Sequence, residues 1–543
     1  MNSISQTHWA NWRKLPVNEH AECVELGATP VEWQQVVRVA RHGALLSLSQ
    51  GAWERIAAAR QAVEEIASST VPHYGINTGL GALCDVVLKR DELQRLSYHT
   101  LMSHACGVGT PLRTEQVRAI ICCAVINYSH GYSGISPAVV KGLLHLLNER
   151  ITPIVPSRGS VGYLTHMAHI GLVLIGHGEV EFNGQRMSAR QALDAIGMAP
   201  LTLGPKDGLS LVNGTPAMTG LACLALEDTA RLAAWADIVG AMSFEALGGQ
   251  LDALLPQVTG LKRHQGVRHV GDNLHQLLRY SRRLARCQGQ HLQDALSLRS
   301  IPQVHGACRD QFAHAARQID QELDSATDNP LVIVTEDGYR VVSQANPHGA
   351  SVAMACDLLA IAVCEWSSIS ERRAYRLVTP QTSRLPPFLT DEVGVKSGMM
   401  IAQYTAASLV ADNKRLAQPA VTDNFLTSGL QEDHLSLGES AALKLDQALD
   451  NAFQVIAIEY LLAAQAFDLI EDQDFAPGTE LAWKALREAV PFYDEEHPLH
   501  LDLQTARHLL QDTSRQASFI TLAPHLYPGK RQTCLISVSI PAA

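Results

Sequence analysis

From Thr215 onward the chain carries long stretches in which apolar residues fall on more than one face of a helix. Gly220–Leu247, Ala350–Leu377 and Gly438–Ile470 are rich in Ala and Leu and contain no proline. Helices apolar all round are buried ones, so this pattern predicts a bundle core or a subunit interface. The part before it reads differently. Between about 31 and 215, shorter helical patterns alternate with Gly/Pro-rich turns: "HYGINTGLGALC", "ACGVGTPL", "PSRGSVG" and "LGPKDG". Such turns need positive-φ positions and carry most of the polar residues of interest. Short strands are expected at Glu179–Gly184 and, as a hairpin around an Asp-Gly turn, at Leu331–Ser343. Residues 1–30 read as a polar, loosely ordered extension. The expected fold class is mainly α, a long-helix bundle (216–543) with a turn-rich N-terminal layer (31–215).

Composition narrows the function classes. The 543 residues are 46% hydrophobic and 18% charged, with a net charge of 43 − 54 = −11 and no basic tract. Nucleic acid is thereby set aside as a partner, because phosphate binding needs clustered Lys and Arg. The eleven cysteines include no C-x-x-C pair, which fits reduced, mostly buried thiols better than a disulfide framework or a zinc site. The N-terminus has no apolar signal-peptide core. No stretch is expected to span a membrane, Ile170–Gly176 being too short. A cytoplasmic protein without a membrane partner is the expectation. No P-loop or Rossmann fingerprint occurs. His166 and His169 share a helical face, but no third ligand of suitable spacing accompanies them, and no metal is expected.

Several polar motifs each admit a plain structural reading beside a chemical one. Tyr74 enters a glycine-rich turn, where a tyrosinate could act as a base or the ring could simply brace the loop. His104 precedes another glycine turn; a lone histidine is more often a satisfied structural group. Asn213, in "SLVNGTPA", suits a cap or turn. Arg299, in "QDALSLRSIPQV", could clamp a carboxylate bidentately or pair with a surface acid; the helical run there is expected to end at Pro302. "TDNPLV" is most simply a structural turn. Gln431, Glu432, Asp433 and His434 form a polar run between apolar segments, as either a site or a helix N-terminus would.

Together these motifs resemble the histidine and phenylalanine ammonia-lyase superfamily. The resemblance rests on "YGINTGLG", "SHACGVG", "PSRGSVG", "SLVNGT", "QDALSLRSIPQV", "TDNPL", "SERR", "LPPFL", "NKRLAQP" and "QEDHLS", in order from about residue 30 to 500. It implies a long-helix bundle of the fumarase/aspartase-like type, assembled as a homotetramer whose active sites draw loops from three subunits. It also implies a small zwitterionic substrate. Tyr74 matches the base that takes the β-carbon proton, and Glu432 an active-site glutamate near the amine or ring. Asn213 and Arg299 match residues that hold the substrate's carboxylate and polar groups. Gln293 matches a pocket glutamine, and His104 an imidazole-recognising histidine of the histidine-type branch.

One departure stands out. The family reads Gly-Ser-Val-Gly, then Ala-Ser-Gly, and that triad cyclises into the electrophile methylideneimidazolone (MIO). Here Gly162 runs straight into Tyr163. Either a matured triad, as a non-standard residue, is missing from the written sequence, or the chain lacks it and needs no cofactor. Three features favour loss. The numbering is unbroken, Tyr163 replaces the following aspartate with His166-Met167 replacing Pro-Leu, and Leu296 replaces a further family tyrosine.

An amine is a poor leaving group, and acid–base catalysis alone supplies about 10²–10⁴-fold. A homologue without MIO therefore calls for a quaternary ammonium, which departs as neutral trimethylamine. The chain is similar in this to the MIO-independent ergothionase branch, which converts ergothioneine to trimethylamine and thiol-urocanate. Tyr163 could then face a trimethylammonium through cation–π contact. Arg384 is an extra cation for a thiolate or carboxylate, or an ordinary surface arginine. The alternatives kept open are an MIO-dependent histidine or aromatic amino acid ammonia-lyase, and a non-catalytic tetrameric homologue.

Overall fold

The computed structural model describes residues 22–80 and 86–512, together with 519, 521–523 and 525–528. Most of the expected polar extension thus lies outside the described residues. Within its remainder, Cys23–Leu26 is a strand paired in parallel with Leu45–Leu48, in place of the loose segment expected. Alternate burial of Val24 and Leu26 explains why so short a strand holds.

The chain forms two compact units, each assembled from separated segments. The first comprises the chain up to Leu224 with Arg317–Cys356 and Ala420–Leu443. The second comprises Ala225–Ala316, Asp357–Pro419 and Lys444 onward. Both are built mainly of helices. The long apolar stretches fold as Pro216–Ala246, Ala350–Val378 and Gly438–Leu469. Contrary to the expectation that nothing reaches a membrane span, three helices among the described residues are long and apolar enough to cross one. Between 72% and 94% of each apolar window is instead buried within the fold, because the residues that would face lipid face other helices.

In the first unit, Ser49 caps the helix Gln50–Ala67 by accepting from the Ala52 N–H. Against this helix packs the hairpin Leu331–Thr335/Gly338–Val342, whose Val332 joins Ala59, Ala62, Val63, Ile66 and Ile76 in one cluster. Glu179–Phe182 is the expected strand, paired with Gln185–Ser188. A buried polar hub lies beneath the short helix Asp207–Val212. Asp328 accepts from Lys206 at 2.7 Å, Ser210 at 2.9 Å, Ser133 at 2.5 Å and Asn213 at 3.2 Å. The plain reading of "TDNPLV" as structural agrees with this placement.

In the second unit, buried charges join helices that would otherwise meet only through apolar contact. Glu459 receives Arg373 through two bonds of 2.6 and 2.9 Å, and also Ser243 and Ser370. Asp237 receives His305, Arg309 and Asn273. Pro302 does not end a helix, as expected, but sits in the first turn of Ile301–Leu323. A first-turn proline loses no helical hydrogen bond there. The preceding helix, Leu296–Arg299, is a single turn.

Removing one member of a buried ion pair leaves the other charge uncompensated, at about 3–5 kcal/mol. Arg373→Met should therefore lower the urea denaturation midpoint markedly. The paired change Arg373→Met/Glu459→Met should recover much of that loss.

Candidate active site

The Gly-Ser-Val-Gly turn leaves the strand Pro156–Arg158, which pairs with Val108–Pro111. Ser160 ties the turn to itself: its hydroxyl accepts from the Gly162 N–H at 3.2 Å and donates to the Tyr163 carbonyl at 3.1 Å. Gly162 has φ 144°, and a Cβ there would stand 2.5 Å from the Ser436 hydroxyl, so the position admits only glycine. Leu437 N–H donates to the Val161 carbonyl at 3.0 Å, stitching the turn to the segment that carries Glu432.

The next residue but one is strained. Leu164 takes φ 80° and ψ −65°, a conformation that L-residues with side chains rarely adopt. Its N–H donates to the Val212 carbonyl at 3.0 Å, the end of the helix fastened by Asp328. The reversal sends the Tyr163 side chain to Glu432, where its hydroxyl donates to Oε2 at 2.7 Å. Glu432 is presented by a tight loop in which Ser428, Gly429 and Leu430 all have positive φ. Thr427 N–H closes that loop on the Glu432 carbonyl at 2.9 Å.

Tyr74 begins the other arm of the site. Asn77 braces its turn, donating to the carbonyls of Ile66, Ser69 and Val71 and accepting from the His73 N–H. Gly75, at φ 68°, leaves no space for a Cβ beside Leu209. The ionisable hydroxyl of Tyr74 lies within Coulombic reach of Tyr163. Burial pushes the Tyr163 hydroxyl well above its ordinary range, and its bond to Glu432 and the charges of Glu432, Tyr74 and Glu439 push it further. Tyr163 is therefore a neutral donor, holding a carboxylate beside a second tyrosine.

The structure thus brings Tyr74, Tyr163 and Glu432 together. His104 ends the helix Arg90–His104 half-buried, with Nδ1 3.0 Å from the Ser103 hydroxyl; burial lowers its pKa and favours the neutral ring. Asn213 is buried at the end of Asp207–Val212. Its amide N–H groups go to Asp328 and, at 2.8 Å, to the Asn329 carbonyl. Gln293, Arg299 and Arg384 belong to the second unit. Gln293 is exposed, and Arg299 is half-buried with an unpartnered Nε. Arg384 is exposed and donates to Gln290 at 3.2 Å. Sequence reading passes over Ser160, Ser436 and Glu439, which build the floor of the turn. A glutamate in the first turn of an apolar helix was the available signal for the last.

Residues 31–488 match the aromatic amino acid lyase family. The chain belongs to that family. The histidine ammonia-lyase of Symbiobacterium thermophilum is 44% identical over 494 residues, 90% of this chain and 97% of that protein. Among solved structures, the histidine ammonia-lyase of Trypanosoma cruzi superposes with a TM-score of 0.85 at 34% identity, covering 93% of this chain and 96% of that one. The ergothioneine-degrading ergothionase of Treponema denticola, in complex with desmethyl-ergothioneine sulfonic acid, also gives 0.85, at 30% identity and coverages of 90% and 99%. As a member of the aromatic amino acid lyases, this chain is a carbon–nitrogen lyase with the family's mainly helical fold.

The written sequence carries no triad for the family's self-made electrophile at this turn. No Ala-Ser-Gly lies between Gly162 and Tyr163, and the tyrosine that follows is engaged by Glu432. What the residues present can do is accept a proton at Tyr74, offer an aromatic face at Tyr163, and place a carboxylate at Glu432.

A hydrogen bond to a charged group contributes about 1.5–3 kcal/mol. Tyr163→Phe should therefore reduce kcat/KM for amine release by about 10- to 100-fold, and Glu432→Gln by a similar factor. The double variant should fall well short of the product of the two, as a double-mutant cycle would reveal.

Proposed function

We propose that this lyase eliminates a tertiary amine from a histidine-derived betaine such as ergothioneine, giving trimethylamine and thiol-urocanate without MIO. The observation that carries the reading is the direct Gly162–Tyr163 junction with the Tyr163 hydroxyl on Glu432. Likeness to the ergothionase of Treponema denticola supports it.

In the proposed reaction Tyr74, as tyrosinate, takes a proton from the β-carbon. The electron pair of that C–H bond becomes the second bond between the α- and β-carbons, and the C–N bond breaks. The nitrogen leaves with its bonding pair as neutral trimethylamine, so no proton has to reach it. Tyr163 faces the trimethylammonium through its ring, and Glu432 adds a full negative charge nearby. In a tetramer whose sites draw loops from three subunits, as the family resemblance implies, Arg299 clamps the substrate carboxylate and Asn213 and Gln293 hold its polar groups, each supplied by whichever copy brings it there. His104, as a neutral ring, pairs with the imidazole-derived ring, and Arg384 answers its thiolate.

A second reading has its own support. The 44% relative is named a histidine ammonia-lyase, and a matured triad missing from the written sequence would make this chain one too. One screen separates the readings. Purified protein is offered histidine, phenylalanine, tyrosine, thiol-histidine and their trimethylated forms, with intact mass measured beside it. Trimethylamine from ergothioneine, no ammonia from histidine and a mass equal to the written sequence support the first reading. Ammonia from histidine with a mass larger by a dehydrated Ala-Ser-Gly overturns it.

The assembly we propose is the homotetramer. Leu358, Ile361 and Tyr375 on one helix, and Ile401 and Tyr404 on Met400–Leu416, are large apolar side chains left exposed on a single chain. Other copies would cover them. Light scattering should give four times the chain mass, and Ile401→Glu/Tyr404→Glu should lower it.

A further inference from the structure

Three buried polar atoms around the Gly-Ser-Val-Gly turn have no hydrogen-bond partner: Nδ1 of His166, Oε2 of Glu439 and the hydroxyl of Ser436. The large majority of buried polar groups are satisfied, so three unpartnered atoms gathered at one turn need an explanation. His166 stands in the first turn of Thr165–Leu174 and Glu439 in the first turn of Gly438–Leu469. They are 1% and 2% exposed, with Nδ1 and Oε1 4.0 Å apart. Neither has a role in the chemistry proposed above.

The tautomer follows from the surroundings. His166 Nε2 lies 3.2 Å from the Ser157 carbonyl, which can only accept. Nε2 therefore carries hydrogen, and in the neutral ring Nδ1 turns a lone pair toward Glu439. A carboxylate facing that lone pair away from water would be a buried, unpaired anion. One proton between the two removes the conflict, whether it resides on the carboxyl or on Nδ1, because both arrangements are neutral overall. A second proton would leave a buried imidazolium with no counter-ion.

We propose that His166 and Glu439, 4.0 Å apart, together hold a single proton and act as a positioning pair for Tyr163, keeping the floor of the turn neutral while the Tyr163 hydroxyl donates to Glu432. Ser160 is the mechanical link: its one hydroxyl hydrogen goes to the Tyr163 carbonyl, and its oxygen stands beside Glu439. Burial pushes the Glu439 carboxyl up to about 7 and pulls His166 down, the directions a shared proton requires.

Among the described residues, the charged and titratable groups nearby are already engaged. His169, on the same helix, accepts from the Gly107 N–H. Of the helices packed against that one, the helix starting at Asp207 has this carboxylate paired with Arg60, and the helix ending in His104 has this ring bonded to Ser103. On the loops stand Tyr163, Tyr74 and Glu432. Glu439 acts on Tyr163 through its charge. Loss of the shared proton thus adds a second carboxylate beside a tyrosine already bonded to one, and opposes formation of tyrosinate at Tyr74.

The role deepens the lyase reading, and its first test needs no turnover. Unfolded, Glu439 ionises near pH ~4.3. The folded protein then holds the extra proton up to about pH 7, so stability is lost as pH rises through that window and stays lost above it. Glu439→Gln has no proton to lose. Its Tm, relative to the unaltered protein, should climb by about 2 °C or more between pH 5 and 8. His166→Gln offers an amide N–H to the carboxylate and should flatten the same slope.

In turnover, kcat/KM of the unaltered enzyme should fall at alkaline pH as the pair loses its proton, and Glu439→Gln should hold its rate to higher pH. Tm differences constant across this range in both variants would overturn the shared proton. An altered Tm slope with an unmoved kcat/KM profile would overturn the positioning role. Failure of the lyase reading is separate: the unaltered protein would release no amine, and the Tm slope would still decide the shared proton.

Discussion

Lys206 is almost inaccessible to water and held in a left-handed backbone conformation, with its ammonium 2.7 Å from Asp328. Burial alone pulls that lysine below its ordinary range, and the Asp328 charge works against the pull. The same carboxylate also accepts from Ser133, Ser210 and Asn213. A buried aspartate held by these donors, and by the Asn329 N–H as well, has no freedom to move without leaving several of them unsatisfied. The helix Asp207–Val212 is therefore fixed at both ends, and its last carbonyl receives Leu164. The strained backbone that aims Tyr163 at Glu432 is sustained from there.

Rigidity of this kind suits the chemistry. Two tyrosines and a glutamate in one place would repel as anions, and the arrangement avoids that by burying one hydroxyl until it can only donate. Glu432 then has a fixed hydrogen-bond donor in Tyr163. Glycine at 162 is required by the close approach of Ser436. The turn is thus shaped by the segment around Ser436 and Leu437 as much as by its own residues.

Much of this was legible in the sequence. The three long helices follow from apolar faces without proline, and the hairpin from its Asp-Gly turn. Tyr74, Tyr163 and Glu432 could be marked from motif order, and the structure groups all three. Other features had no local signal. Strand Cys23–Leu26 is four residues long and gains stability only from a partner some twenty residues on. Pro302 looked like a stop because proline inside a helix breaks it, yet a proline one residue into a helix starts it. A pattern apolar all round is common to buried and membrane-spanning helices, and these three are long enough for either. Glu439 stands where helices commonly carry an acid, and burial by distant segments leaves no trace in neighbouring residues.

The separation of Lys206 from Asp328 by 122 positions has a further consequence, on the ribosome. Synthesis runs at about 5–20 residues per second, so Lys206 emerges about 6–24 s before its counter-ion exists. During that interval the short helix that fixes the catalytic turn has no reason to close, and Glu432 arrives later still. The first unit thus cannot mature in order from its N-terminus. Its core, and with it the site, completes only once a segment made after most of the chain has folded back onto the start.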